Sequence, residues 1–156
     1  MDKFTGRVWV LGDDIDTDII IPTEYLALKT IDDMKQYGFS PLRPELAGQI
    51  QKGDIIVAGK NFGCGSSREQ APEIIKALGI QCVIAKSFAR IFFRNAINNG
   101  LLLIEQPDLY DDIKEGDTIT VHMNKHVDYN GKEYPIAALP ENLMRIIQAG
   151  GLVGAM

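Results

Sequence analysis

Residues 61–70 read NFGCGSSREQ and place two hydroxyls, Ser66 and Ser67, and one guanidinium, Arg68, directly behind a pair of glycines. Glycine leaves the neighbouring hydroxyls unshielded, so a ligand can come close to the backbone. Arg68 adds a planar fork matched to a carboxylate. A helix starting here would contribute free N–H groups and a positive partial charge, which also favour an anion. These residues together suit a carboxylate site with a hydroxyl beside it. A purely structural reading competes with this one: Ser66 and Glu69 have capping-box spacing, and serine ahead of a helix commonly does no more than cap it.

The familiar glycine-rich loops do not fit. Arg68 stands where the dinucleotide fingerprint has its third glycine, and no Lys-Ser or Lys-Thr follows a glycine as in a phosphate loop. Neither serine is followed by the glycine of a nucleophile elbow. The two histidines, His122 and His126, lie far along the chain, so Ser–His hydrolase chemistry has little support.

The elements that must hold this run are readable on either side of it. GRVWVL (residues 6–11) is a β-rich segment that runs into the acidic, turn-prone GDDIDTD and then Pro22. GDIIVAGK (53–60) and IQCVIAK (80–86) are continuous apolar runs suited to strands buried on both faces. Between them a helix over 73–78 ends at Gly79, which predicts a parallel strand–helix–strand crossover. Ser87 is expected to cap a helix through Asn98, with Phe88, Ile91, Phe92 and Ala96 on its apolar face and Gly100 as its stop; this helix reads as scaffold. Residues 31–37 offer one or two helical turns, and SPLRPE (40–45) reads as irregular connection. Alternation in DTITVHM and the Asn130-Gly131 pair predict a small antiparallel β portion, closed by a last helix over 140–151.

Composition bounds the rest. A chain of 156 residues with 46% hydrophobic content supports one well-packed domain, residues 1–156. A net charge of -5 with no Lys/Arg run argues against nucleic acid as a partner. Nothing approaches the roughly 18 apolar residues of a membrane helix, and the start of the chain has no apolar segment of signal-peptide length, so a soluble cytoplasmic protein is expected. The only cysteines, Cys64 and Cys82, have neither metal-ligand spacing nor a disulfide framework. Cys82 reads as a small core residue.

Three stretches, GDDIDTDIIIP (12–22), NFGCGSSRE (61–69) and AKSFARIFFRNAINNGL (85–101), resemble in their order the swivelling C-terminal domain of the aconitase superfamily. Within it they resemble the small subunits of isopropylmalate isomerases, with a match over residues 6–105. The resemblance implies an α/β fold: a single swivelling β/β/α three-layer domain that closes over an iron-sulfur cluster carried by a large subunit, as a heterodimer or heterotetramer. It implies a hydro-lyase that interconverts 2- and 3-isopropylmalate by dehydration and rehydration in leucine biosynthesis. By the same resemblance Ser66 acts as an alkoxide-like base on the carbon next to a carboxylate. Arg68 binds the substrate carboxylate, Ser67 lends hydrogen bonds, and Asp18 belongs to the polar network, whereas Asp16 and Thr17 are turn formers and caps. An arginine and helix N-terminal amides are what could stabilise such a basic oxyanion. A [4Fe-4S] cluster takes about three or four thiolates, so this chain is expected to hold no cofactor and the cluster to sit in the large subunit. Cys64 is then a loop residue near that interface.

In this resemblance the loop after the aspartate motif sets specificity, here Tyr25, Leu26, Ala27, Leu28, Lys29 and Thr30. Homoaconitase-like subunits carry an arginine where Ala27 stands, so an apolar substrate end is expected here. Lys29 could still reach an anion, and Leu26 and Leu28 have the alternative of simply anchoring the loop. Gln70 departs from the family's Ser-Arg-Glu-His. A hydro-lyase acting on homoaconitate, citraconate/methylmalate or dimethylmalate, and a carboxylate-binding module without catalysis, stay open as alternatives.

Overall fold

The computed structural model of the chain describes residues 3–65, 68–138 and 140–148. Its strands are β1 (Lys3–Val10), β2 (Ile55–Ala58), β3 (Cys82–Ala85), β4 (Leu102–Glu105), β5 (Thr118–His122), β6 (His126–Tyr129) and β7 (Lys132–Pro135). They form one mixed sheet in the order β4-β3-β2-β1-β5-β6-β7. The four strands from β4 to β1 run parallel, and β1 also pairs antiparallel with β5. The expected antiparallel portion is therefore continuous with the parallel one through a shared strand, which begins at Lys3, three residues ahead of the expected start.

Both apolar runs that read as doubly buried strands contain one, β2 and β3, each buried along its whole length. Their alternate residues enter two separate cores, as the two-residue period of a strand requires. Ile56, Ala58, Val83, Ala85 and Leu103 pack with Ala71, Ile75, Phe92 and Ala96 from helices α4 (Gln70–Ala77) and α5 (Arg90–Asn98). Ile55, Val57, Cys82, Ile84 and Ile104 pack instead with Ile119, Val121, Val127 and Tyr134. The antiparallel strands thus fold over the face of the parallel strands opposite these helices, giving a β/β/α arrangement. Gln106, 1% exposed just past β4, donates from Nε2 to Pro135 O of β7 (3.1 Å) and ties the two ends of the strand order together. Burial of each large aliphatic side chain contributes about 1.5–3 kcal/mol, so both faces hold the parallel strands in place.

Connections follow the turn chemistry. Helix α4 crosses between β2 and β3, which are parallel neighbours. Asn130 and Gly131 both take positive φ, 52° and 81°, as a two-residue hairpin between β6 and β7 demands. Short helices α1 (Thr17–Ile20), α2 (Ile31–Lys35), α3 (Leu46–Gln49) and α6 (Leu109–Asp112) fill the loops, and α7 (Glu141–Gln148) follows Pro140.

Three local expectations change. Helix α4 begins at Gln70 with Glu69 in the N-cap position and no side-chain cap, so Glu69 is not the third residue of a helix capped at Ser66. Helix α5 begins at Arg90 behind an uncapped Ala89; the Ser87 hydroxyl accepts from the Asn61 amide (2.8 Å) and joins two loops. Its buried face is Phe92, Ala96 and Ile97, while Ile91 is 56% exposed, because the helix starts later and its inward stripe is set by β3 and β4.

Candidate functional site

The loops that leave β1, β2 and β3 meet at the carboxyl ends of these parallel strands, where open α/β sheets place their ligands. The central loop, 59–65, is stitched on one side to the acidic loop after β1. Gly59 N donates to Gly12 O (3.1 Å), Asp14 N to Lys60 O (2.8 Å), Gly63 N to Ile15 O (2.7 Å) and Thr17 N to Cys64 O (3.0 Å). Asp13 Oδ1 accepts from Lys60 N (2.7 Å), and Asp14 Oδ1 from Asn61 Nδ2 (3.2 Å). On its other side, Phe62 N donates to Ser87 O and Ala89 N to Phe62 O, both at 3.0 Å. Stretches about 25 to 50 residues apart in sequence thus become one backbone-bonded shelf, whose buried amides and carbonyls satisfy one another.

Arg68 ties this shelf to the next loop. Its Nη1 donates to Ile21 O and its Nη2 to Thr23 Oγ1, both at 2.7 Å, and Nη2 pairs with Asp18 Oδ1 at 2.6 Å. The guanidinium is largely enclosed, with 12% of its side chain exposed, whereas Asp18 is 64% exposed. The structure therefore brings Arg68 and Asp18 into direct contact, and two protein oxygens fix the plane of the guanidinium. Asp16 caps α1 by accepting from Ile19 N (2.9 Å), as a turn-and-cap residue should. Ser66 and Ser67 lie outside the described residues, between Gly65 at φ 90° and Arg68.

A cavity of about 320 Å³ opens beside Gly65 and Arg68. Thr17, Gly63, Gly65 and Arg68 line it together with Ala89, Arg90, Ile91, Phe92 and Asn95 along the first turns of helix α5. Helix α5 is more than the scaffold expected of it, since its first turns line the site. Arg90 and Asn95, polar residues on a helix that otherwise packs by Phe92 and Ala96, were the available signal. Thr17, only 2% exposed, belongs to the same lining beyond its turn-forming part.

The loop of residues 25–30 divides by burial. Tyr25, Leu26 and Leu28 pack against a small core of Ile21, Met34 and Ile74, and Tyr25 stacks on Tyr37 with ring centres 4.0 Å apart. Thr30 caps α2 by accepting from Asp33 N (3.1 Å). Leu26 and Leu28 do anchor the loop, which leaves Ala27, Lys29 and the capping Thr30 as its exposed positions. The lining of the 320 Å³ cavity does not include residues 25–30; Thr23, two residues ahead of the loop, makes the contact with Arg68.

Neither thiol is set up as a metal ligand. Burial pushes the Cys64 thiol up, and Asp16 and Asp14 beside it add to this; burial alone pushes Cys82 up at the start of β3. The two belong to different segments and are unpaired. The donors in this chain thus do not fit an iron-sulfur cluster, which requires a set of thiolates around one point. Among the described residues no helix is long and apolar enough to cross a membrane.

Residues 19–109 match the family model of the aconitase C-terminal domain. The chain is 77% identical over 155 residues to the 3-isopropylmalate dehydratase small subunit of Lachnospira eligens, covering 99% of this chain and 94% of the relative. It is 54% identical over 151 residues to 3-isopropylmalate dehydratase small subunit 1 of Archaeoglobus fulgidus, covering 95% and 93%. Among solved structures it superposes on 3-isopropylmalate dehydratase (leuD) from Methanocaldococcus jannaschii with a TM-score of 0.92 at 41% identity, covering 98% of this chain and 92% of that one.

Proposed function

The chain belongs to the aconitase C-terminal domain family, and from that premise we propose that it is the small subunit of a 3-isopropylmalate dehydratase, the hydro-lyase of leucine biosynthesis that works with a large subunit. The observation that carries this is the match at 77% identity along essentially the whole chain to a small subunit of that name. The domain, residues 1–156, acts as one swivelling unit over the large subunit, in the cytoplasm, where its two thiols stay unpaired.

In the proposed site this chain does the proton transfer and the carboxylate binding. Ser66, which lies in sequence between the bonded shelf and the anchored Arg68, takes the proton from the carbon beside a substrate carboxylate as the hydroxyl departs from the neighbouring carbon; the isomer forms when that neighbouring carbon receives the proton back and water delivers its hydroxyl to the carbon first deprotonated. Arg68 receives that carboxylate, with its plane fixed by Ile21 O and Thr23 and its charge shared with Asp18. Ser67 hydrogen-bonds the substrate from the same loop. The large subunit's [4Fe-4S] cluster supplies the Lewis acid for the departing hydroxyl. Exposed Ala27 offers no partner to a distal carboxylate, which favours an alkyl end on the substrate, a hydroxy-dicarboxylic acid.

The test is reconstitution. Purified alone, the chain is expected to lack iron-sulfur absorbance and hydro-lyase activity; mixed with the large subunit it should turn over isopropylmalate with a higher kcat/KM than homoaconitate. Activity without a partner would sink the two-subunit reading, and a preference for homoaconitate that Lys29→Ala abolishes would move the substrate assignment to that sibling. In the reconstituted enzyme, Arg68→Lys is expected to raise KM and lower kcat/KM by roughly 10- to 100-fold. A single ammonium cannot hold Ile21 O, Thr23 and a carboxylate at once, and hydrogen bonds to charged groups contribute about 1.5–3 kcal/mol. Unchanged KM would remove Arg68 from carboxylate binding.

A further inference from the structure

Away from the site, the β5–β6 hairpin gathers both histidines of the chain. His122 and His126 are register partners across the antiparallel pair, so their side chains project from the same face. Asp128 lies two residues beyond His126 and shares that face; Glu133, its register partner on β7, does too. The opposite face of the same strands carries Val121, Val127 and Tyr134 into the core, which fixes the register and hence the clustering.

The side chains converge. His122 Nε2 lies 2.6 Å from Asp128 Oδ2, His126 Nε2 lies 3.0 Å from Asp128 Oδ1, and Glu133 Oε2 lies 3.2 Å from His126 Nε2. The two imidazoles sit side by side with ring centres 4.6 Å apart. One ligand atom from each of His122, His126 and Asp128 falls within 4.8 Å of the others. A tetrahedral ion with bonds of 2.0–2.1 Å needs about 3.3 Å between its ligand atoms, which small rotations of these partly exposed side chains can reach. All three are partly exposed, so an ion has access from solvent.

We propose that His122 Nε2, His126 Nε2 and the Asp128 carboxylate form a zinc(II) site on the β5–β6 hairpin, with water completing the coordination. Two imidazoles and one carboxylate suit a borderline-soft divalent ion. Glu133 adds a second negative charge beside it. Lys3, the partner of His122 on β1, faces the same side as an exposed ammonium that can swing into solvent. Bound across two strands, the ion staples the hairpin and stabilises the folded chain by mass action.

The full chain, stripped of metal, is titrated with zinc chloride by calorimetry in a non-chelating buffer and followed by the imidazole NMR resonances. One ion per chain is expected, with both histidines shifting together; as the chain has only these two, the signals are unambiguous. His122→Asn and His126→Asn should each weaken binding by more than the roughly 10- to 100-fold that loss of an outer-shell partner costs. Cys64→Ser should leave it unchanged. Zinc should raise the Tm of the wild type and not of the double variant. Absence of stoichiometric binding, zinc binding without a shift of the two imidazoles, or binding lost with Cys64→Ser would each overturn the site.

Discussion

Ser66→Ala, assayed in the complex with the large subunit, is expected to lower kcat by about 10² to 10⁴, the range for removal of a general base. Folding should be nearly unaffected. Helix α4 takes Glu69, not Ser66, in its N-cap position, so the roughly 1 kcal/mol that a lost serine cap costs is not at stake. On one side of Ser66 the backbone is pinned by Gly63 N on Ile15 O and Thr17 N on Cys64 O, and on the other by the Arg68 fork. Alanine can therefore take the serine's place without releasing the loop. A KM close to wild type with a collapsed kcat is the signature of a group that acts in the transition state alone. Equal kinetics for Ser66→Ala and wild type at equal Tm would take the proton-transfer role away from this serine.

Gly63→Ala should act through the fold instead. Gly63 has φ 84°, a left-handed conformation that costs a residue with a side chain about 1–2 kcal/mol. An added Cβ would also stand 2.1 Å from Phe92 Cγ and 2.5 Å from Phe92 Cβ. Phe92 is 3% exposed and packs edge-on against Phe62 with ring centres 5.4 Å apart, so it can yield only by turning toward the cavity it lines. Overpacking of this kind costs about 1–3 kcal/mol more. Thermal melting should show a fall in Tm of roughly 4–20 °C for a chain of this size. Because Gly63 and Phe92 both line the cavity, activity should drop as well. Shrinking the neighbour, in Gly63→Ala/Phe92→Leu, should recover part of the loss, as contacting pairs are not additive. A Gly63→Ala chain as stable as wild type would mean that the contact relaxes freely.

Much of this was legible in the residues because it is local. The runs 53–60 and 80–86 announced doubly buried strands through unbroken hydrophobicity, and Asn130-Gly131 announced its hairpin through the positive φ that only such residues take readily. The order of GDDIDTD, NFGCGSSRE and AKSFAR sufficed to identify the superfamily and the cysteine-poor half of a two-subunit enzyme. Local signals failed where a distant partner competed for the same group. Ser87 reads as a helix cap, yet its hydroxyl goes to Asn61, because β2 and β3 end side by side and leave that amide to be satisfied. Leu26 and Leu28 read equally as pocket or anchor, and the core of Ile21, Met34 and Ile74 made them anchors.

The sequence by itself determined which residues could do chemistry, which segments are strands and helices, and which family's motifs they spell, since composition, periodicity and turn preference act over a few neighbours. Tertiary structure alone decided that Arg68 meets Asp18, that helix α5 lines the cavity, that Ala27 and Lys29 face out while Leu26 and Leu28 pack inward, and that two histidines share one face of a hairpin. These follow from strand order and register, which depend on how distant apolar surfaces are buried together, and a local stretch of residues carries no record of its partner.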